Sequence, residues 1–347
     1  MTTTDTPGTT ASQDPGDPGA PATGGGRRLP RLREATRDLG LVVALVALVV
    51  VGVATSGERF ASTSNLLVIL QQAAIIGVIS IGVTFVITAG GIDLSVGSVM
   101  GLATVWATTL ATQTMAQDLH WIVMVFTALA VGTAAGVLNG IVVAYGRVVS
   151  FIATLAMLVA ARGLAEIISD RKTQIVRVDG FLDTFRGDVL GIPVIVWIFL
   201  LVAVAGWFLL NRTTFGRRTV AIGGNPEAAR LAGIKIRRHT VMVFALSGLT
   251  AGIAAVMMLA RTTAGTSTNG YLYELDAIAA VVVGGTLLIG GRGTIVGTVL
   301  GVLIFATLSN IFIQNNLSIS AQSLAKGAII VGAVLLQQRF AARSRST

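Results

Sequence analysis

About ten apolar runs, joined by short polar links, dictate the solvent of this chain. They cover residues 39–56, 66–88, 96–112, 121–145, 150–168, 191–210, 240–260, 275–289, 295–313 and 322–336. A bilayer crossing needs about 20 apolar residues, and a helix satisfies its backbone polar groups within one segment. Charged residues make up 12% of the 347 positions, against about 25% in soluble domains. The expected fold is all-α, a polytopic membrane protein of about ten transmembrane helices with both ends cytoplasmic. Several of the runs are short or interrupted by glycine, which often marks a substrate pathway in transporters.

Charge supports that orientation. With the N-terminus inside, the expected cytoplasmic segments hold seventeen of the 25 Lys and Arg, and the opposite side holds six; Arg162 and Lys326 fall within spans. Basic residues concentrate on the cytoplasmic side of membrane proteins, so the net charge of +9 needs no nucleic-acid partner. Residues 1–38 read as a disordered, basic cytoplasmic tail, because Thr, Pro, Gly and Asp dominate its start and bury too little apolar surface to fold. Residues 39–338 form the transmembrane domain, with a cytoplasmic loop at 211–239, and residues 339–347 form a second basic tail. No signal-peptide pattern precedes the first run. The chain has no cysteine, and His120 and His239 stand far apart beside span ends. Thiolate sites are excluded, and the histidines read as loop or interfacial residues, not metal ligands.

Between two long apolar runs stands Thr88-Ala89-Gly90-Gly91-Ile92-Asp93-Leu94-Ser95-Val96-Gly97. A carboxylate at the centre of a bilayer costs roughly 2.5–3.5 kcal/mol on insertion scales, so Asp93 needs a local reason. The glycines allow the backbone to leave the helix and approach other groups closely. Two readings stand: a broken segment lining a pathway, or a tight interfacial turn. The pattern Gly90-Gly91-x-x-Leu94-x-x-Gly97 recurs as Gly284-Gly285-x-x-Leu288-x-x-Gly291. Duplicated broken segments on one side of the membrane are a transporter signature, although 41 glycines also produce such matches by chance. Thr88, Ser95, Asn139 and Asn310 supply the hydroxyl and amide groups that a polar pathway requires.

Spacing also indicates packing. Gly132, Gly136 and Gly140, then Gly248 with Gly252, and Gly297 with Gly301, place small residues on single helix faces where backbones can approach. Arg162 and Glu166 stand at i and i+4 and read as a structural ion pair or, alternatively, part of a proton relay. In the loop, Asn225 suits an N-cap, Pro226 the first helical position, Glu227 the positive helix end, and Gly233 the stop. The resulting two-turn helix, containing Ala228, Ala229 and Arg230, is too short to be stable alone. It must rest on the protein body, a partner or anionic lipid. No Gly-Lys pair forms a phosphate loop, and no paired-carboxylate or Ser/His/Asp arrangement indicates catalysis.

Taken together, TAGGIDLSVG (88–97), FIATLAMLVAARG (151–163), TFGRRTVAIGGNPEAARLAGI (214–234), YELDAIAAVVVGGTLLIGGRG (273–293) and KGAIIVGAV (326–334) resemble the permease subunit of bacterial ABC sugar importers of the ribose/xylose/arabinose type. The resemblance runs from about Leu39 to the C-terminus. It implies a multi-pass protein of the bacterial inner membrane that passes a monosaccharide, a ribose-like pentose or a hexose. It also implies a cytoplasmic ATPase that binds ATP and Mg, an extracytoplasmic sugar-binding protein and a second permease copy, with no cofactor on this chain. By the same resemblance, Asn225–Gly233 is the coupling helix that enters the ATPase surface, and Asp93 and Ser95 belong to the signature loop. Three positions depart from the family pattern: Ser150 where proline is common, Leu287 where serine is common, and Ala321 where an aromatic residue is common. Two other functions compete. One is an ion-coupled secondary transporter using Asp93 and Glu166; the other is a membrane assembly subunit that moves nothing.

Overall fold

A computed structural model describes residues 28–343, without the side chains of 28–36, 330 and 333–343. Residues 1–27 and 344–347 of the two expected tails lie outside the described residues. Residues 28–36 belong to a unit distinct from the one that begins at Arg37. The helices in chain order are α1 (Arg28–Ser56), α2 (Glu58–Ala61), α3 (Thr63–Thr88), α4 (Val96–Ala107), α5 (Leu110–Asp118), α6 (Ile122–Ala144) and α7 (Ser150–Ser169). They continue as α8 (Asp179–Arg186), α9 (Val194–Arg212), α10 (Thr214–Gly224), α11 (Pro226–Leu231), α12 (Ile236–Thr262), α13 (Tyr273–Val283), α14 (Ile295–Gln314) and α15 (Ile319–Arg343). Two small antiparallel pairs complete the chain: Gln174–Ile175 with Ala264–Gly265, and Asp188–Val189 with Ile192–Pro193.

The chain is all-α and polytopic. Among the described residues, seven helical segments are long and apolar enough to cross a membrane: Arg37–Ser56, α3, α6, α7, α9, α12 and α14. Two of the other three apolar runs differ from simple crossings. The run at 96–112 splits into the 12-residue α4 and the start of α5, and the run at 275–289 becomes the 11-residue α13 followed by a break. At 1.5 Å per residue, each half-helix reaches only part of the way across. The run at 322–336 lies within α15, which continues to Arg343, past the expected end of the domain at 338. Residues 28–38, expected to be disordered, are helical, in keeping with their Leu, Arg, Glu and Ala content.

Burial sorts the helices into two classes. α3, α12 and α14 are central, and α3 is buried almost continuously from Ala73 to Thr88. α1, α7 and α9 instead expose Val43, Val159 and Leu201. Such all-round apolar helices present their outer faces to lipid tails.

Between helices in lipid, close backbone packing replaces the hydrophobic effect as a driving force. The glycine spacing supplies it. A Cβ built on Gly136 would stand 3.0 Å from Gly248 Cα, one on Gly252 2.9 Å from Leu129 Cα, and one on Gly140 2.6 Å from Val241 Cα. α6 and α12 therefore touch backbone to backbone, as the sequence spacing anticipates. Gly297 and Gly301 similarly receive the end of α13 against Gly284 and Ala280.

The ion-pair reading of Arg162 with Glu166 is corrected. Arg162 Nη1 donates to the carbonyls of Ser267 and Asn269, while Glu166 pairs with Arg171 at 3.1 Å. The guanidinium reaches inward to the segment preceding α13, where buried carbonyls need donors; the more exposed Glu166 turns to the loop. Lys326, the second cation within an apolar run, pairs with both oxygens of Asp276 at 3.0 Å and ties α15 to α13.

Replacing Gly136 with Leu should cost about 1–3 kcal/mol through overpacking. The same change at Gly163, whose Cβ would meet nothing within 4 Å, should leave stability unchanged. Thermal unfolding of the two purified variants in one detergent checks this contrast.

Candidate functional site

α3 ends at Thr88, and the chain then breaks through residues 89–95 before α4 begins. Gly90 has φ +84°, a left-handed conformation that strains L side chains. Asp93 is 1% exposed and is held from several sides. Its Oδ1 accepts from the Ser95 backbone N–H at 2.9 Å and the Ser95 hydroxyl at 2.6 Å; its Oδ2 accepts from Ser247 Oγ on α12 at 2.8 Å. Asn139 Nδ2 on α6 donates to Ser95 Oγ at 2.9 Å. The loop backbone is also pinned to α7: Ile92 N–H donates to Ser150 Oγ at 3.1 Å, and Thr154 Oγ1 donates to the Ile92 carbonyl at 3.1 Å. A short buried turn thus anchors four helices, with Asp93 as its acceptor hub.

Of the five expected pathway residues, Asp93, Ser95 and Asn139 come together here. Thr88 and Asn310 do not join them. Thr88 Oγ1 donates to the Thr84 carbonyl at 2.6 Å, and its own carbonyl accepts from Gly291 N–H at 2.9 Å. Asn310 lies near the far end of α14, exchanging amide hydrogen bonds with Asn65 at 2.8 and 3.1 Å, while Gln314 donates to Asn65 at 3.0 Å. This amide cluster borders a cavity of about 510 Å³ lined by Glu58, Arg59, Ser62, Asn65 and Gln314 among others. Asn65 and Thr88 stand near opposite ends of α3, about 35 Å apart along the helix.

The second break, residues 284–294 between α13 and α14, meets the first. Gly285, Gly290 and Gly291 all have positive φ, and a Cβ on Gly290 would lie 2.9 Å from Gly90 Cα. α10 closes the contact. A Cβ on Gly223 would strike the Thr88 carbonyl and stand 2.6 Å from Gly291 N; one on Gly291 would stand 2.8 Å from Gly224 Cα. The two recurrent glycine motifs therefore converge on the residues leading directly into α11.

α11 has the anticipated caps. Asn225 Oδ1 accepts from Ala228 N–H at 2.9 Å, Pro226 occupies the first turn, and Gly233 follows with φ +81°. Ala229 is buried, whereas Pro226, Glu227, Ala228 and Arg230 face outward and Leu231 is 75% exposed. Arg230 hydrogen-bonds Glu227 at 3.1 Å and holds its carboxyl below the ordinary glutamate range, so Glu227 is ionised at neutral pH. The outer face of α11 thus presents a charged pair beside an exposed leucine.

Ser247 and Thr154 escaped the sequence reading. Both are small hydroxyl residues inside apolar helices, where a lone Ser or Thr more often bonds its own preceding turn. Ser150 was visible only as a departure from the proline common in the family; in this chain its hydroxyl receives the Ile92 N–H. The buried Glu274, whose Oε2 has no hydrogen-bond partner among the described residues and lies against Gly97, also gave no signal beyond its position near the start of an apolar run.

Comparison with known proteins places this geometry in context. Residues 65–336 match the family described as branched-chain amino acid transport system / permease component. The ribose import permease protein RbsC of Bacillus subtilis is 41% identical over 308 residues, covering 88% of this chain and 94% of that protein. RbsC of Escherichia coli K12 is 38% identical over 302 residues, 86% and 92% of the two chains. The L-arabinose ABC transporter permease protein AraH of Azospirillum brasilense is 37% identical over 280 residues, 80% and 81% of the two. No solved structure matches.

Asp93→Ala should leave the hydroxyls of Ser95 and Ser247 buried without their acceptor, at a cost of about 1–3 kcal/mol for each group left unpaired. The double variant Asp93→Ala/Ser247→Ala should be less destabilised than additivity requires, because one orphaned group is removed with its partner. Thermal midpoints of the three proteins test that non-additivity.

Proposed function

The chain belongs to the family of permease components of bacterial transport systems, and on that premise we propose that it is the membrane-spanning half of an ATP-driven monosaccharide importer. It is a transport subunit and not an enzyme. A cytoplasmic ATPase holds ATP and Mg, an extracytoplasmic binding protein delivers the sugar, and a second copy of this chain completes the pathway. In the membrane the chain makes about ten passes, counting the half-helices and α15, with both ends cytoplasmic.

The observation that carries this reading is the contact of Gly223 and Gly224 with Thr88, Gly290 and Gly291. A partner that grips α11 holds a lever already in backbone contact with both helix breaks. Closure of the ATPase draws the coupling helices, the breaks shift with them, and α3, α4, α13 and α14 reorient around the pathway. Thr88 sits where that motion enters the core. At the opposite end, the Asn65–Asn310–Gln314 amides beside the polar cavity offer the mixed donors and acceptors that sugar hydroxyls require. Asp93, Ser95 and Asn139 act by fixing the broken segment. Ion coupling is disfavoured because both oxygens of Asp93 already accept hydrogen bonds and Glu166 is tied to Arg171.

Glu227→Arg should reduce recovery of the ATPase with the permease while leaving membrane insertion intact. Gly223→Val should act differently: the ATPase still associates, but its hydrolysis no longer depends on the loaded binding protein. Co-purification and ATP hydrolysis by the complex in lipid, across a panel of pentoses and hexoses, read both effects. Stimulation by one sugar names the substrate. Uptake that needs no ATPase and collapses with the proton gradient would replace this proposal with ion coupling.

A further inference from the structure

Behind the coupling helix, a second cavity of about 410 Å³ opens between α10 and the start of α12. Its lining includes Arg218, Lys235 and Arg238, with His239, Ile234 and Met242. The three cations are exposed, and among the described residues none of them forms an ion pair. No carboxylate contributes to the lining. The floor is already committed, since His239 Nε2 and Thr219 Oγ1 bond each other at 2.8 Å and both are buried. Three positive charges therefore converge on an open space above a satisfied base.

The chemistry of the wall changes with depth. Lys235 precedes α12, Arg238 lies in its first turn, and Met242 stands one turn further into this membrane-crossing helix with 47% of its surface exposed. A ligand suited to the cavity thus carries a phosphate-type anion at its polar end and an apolar portion along Met242. A carboxylate from a docked protein would use only the polar half. We propose that this cavity binds the headgroup of an anionic phospholipid of the cytoplasmic leaflet, with Arg218, Lys235 and Arg238 as its phosphate ligands. Basic pockets between helices at that surface hold such headgroups, and each Lys or Arg near the surface contributes about 1 kcal/mol of attraction. A lipid seated there braces α10 against α12 next to the coupling helix.

Native mass spectrometry of the full chain, released from vesicles of phosphatidylcholine with one-fifth phosphatidylglycerol, counts the lipids retained. The expected result is retention of phosphatidylglycerol over phosphatidylcholine, falling about fivefold for each charge removed in Arg218→Gln, Lys235→Gln and Arg238→Gln. Lys235→Arg should keep retention, and Arg217→Gln, which removes an exposed cation outside the lining, should not lower it. Equal loss in Arg217→Gln would show nonspecific surface charge and overturn the assignment. So would full displacement of the lipid by millimolar inorganic phosphate, which identifies a free-anion site, or by addition of the ATPase, which identifies a protein dock. Circular dichroism of each variant separates loss of the site from loss of the fold.

Discussion

The Thr88 carbonyl accepting from Gly291 N–H at 2.9 Å, with Gly223 pressed against both residues, is the contact on which the working architecture depends. It joins three segments far apart in sequence: the end of α3, the turn before α14 and the end of α10. No side chain fits between them. A methyl group at Gly223 or Gly290 would force the segments apart, so glycine at these positions is a steric requirement. Because the contact is made by backbone, displacement of one segment must be transmitted to the others. On the proposed function, a partner holding α11 by its outward face would act on both helix breaks together.

The rest of the fold supplies what that junction needs. Lipid offers no hydrophobic force to assemble helices, so the glycine seam between α6 and α12 provides close packing. α12 then presents Ser247 to Asp93, and α6 presents Asn139 to Ser95. The Asp93 turn holds the start of α4 in place against them. A carboxylate is suited to this role because it accepts several hydrogen bonds at once, including two from Ser95, where a neutral hydroxyl would accept fewer. Burial of the carboxyl is tolerated because both of its oxygens accept hydrogen bonds.

Sequence legibility followed the physics of each signal. The apolar runs, the α6–α12 glycine seam and the caps of α11 were readable, because each depends on neighbours within one helix or on a residue type with few alternative uses. The points at which two of those runs break were not. The 96–112 and 275–289 runs have the composition of spans but end early as helices: the first stops at Ala107, where Gly265 packs against Thr104 and Thr108, and the second at Val283, just before the junction with Gly90 and Gly223. Arg162 misled for a related reason: i, i+4 spacing to Glu166 is a local cue, yet the buried carbonyls of Ser267 and Asn269 compete from more than a hundred positions away. Thr88, Asn139 and Asn310 were chosen by polarity, which finds buried hydrogen-bonding groups whether they meet a solute or one another, while Asp93 and Ser95 stood out in the glycine-rich break. Three of these five meet in the Asp93 cluster, and Ser247, the partner that completes it, looked like any serine in an apolar helix.

The most direct test is a distance measurement across the junction in the working transporter. The chain has no native cysteine, so spin labels can be placed singly or in pairs at Arg230 on α11, at the exposed Ile289 in the second break, and at the exposed Leu190 in the strand turn that precedes α9. With ATP bound and without it, the 230–289 distance is expected to stay constant while both labels move relative to 190. A 230–289 distance that changes with nucleotide would mean that the coupling helix and the helix breaks move independently, and the mechanical link drawn from the glycine contacts would be wrong.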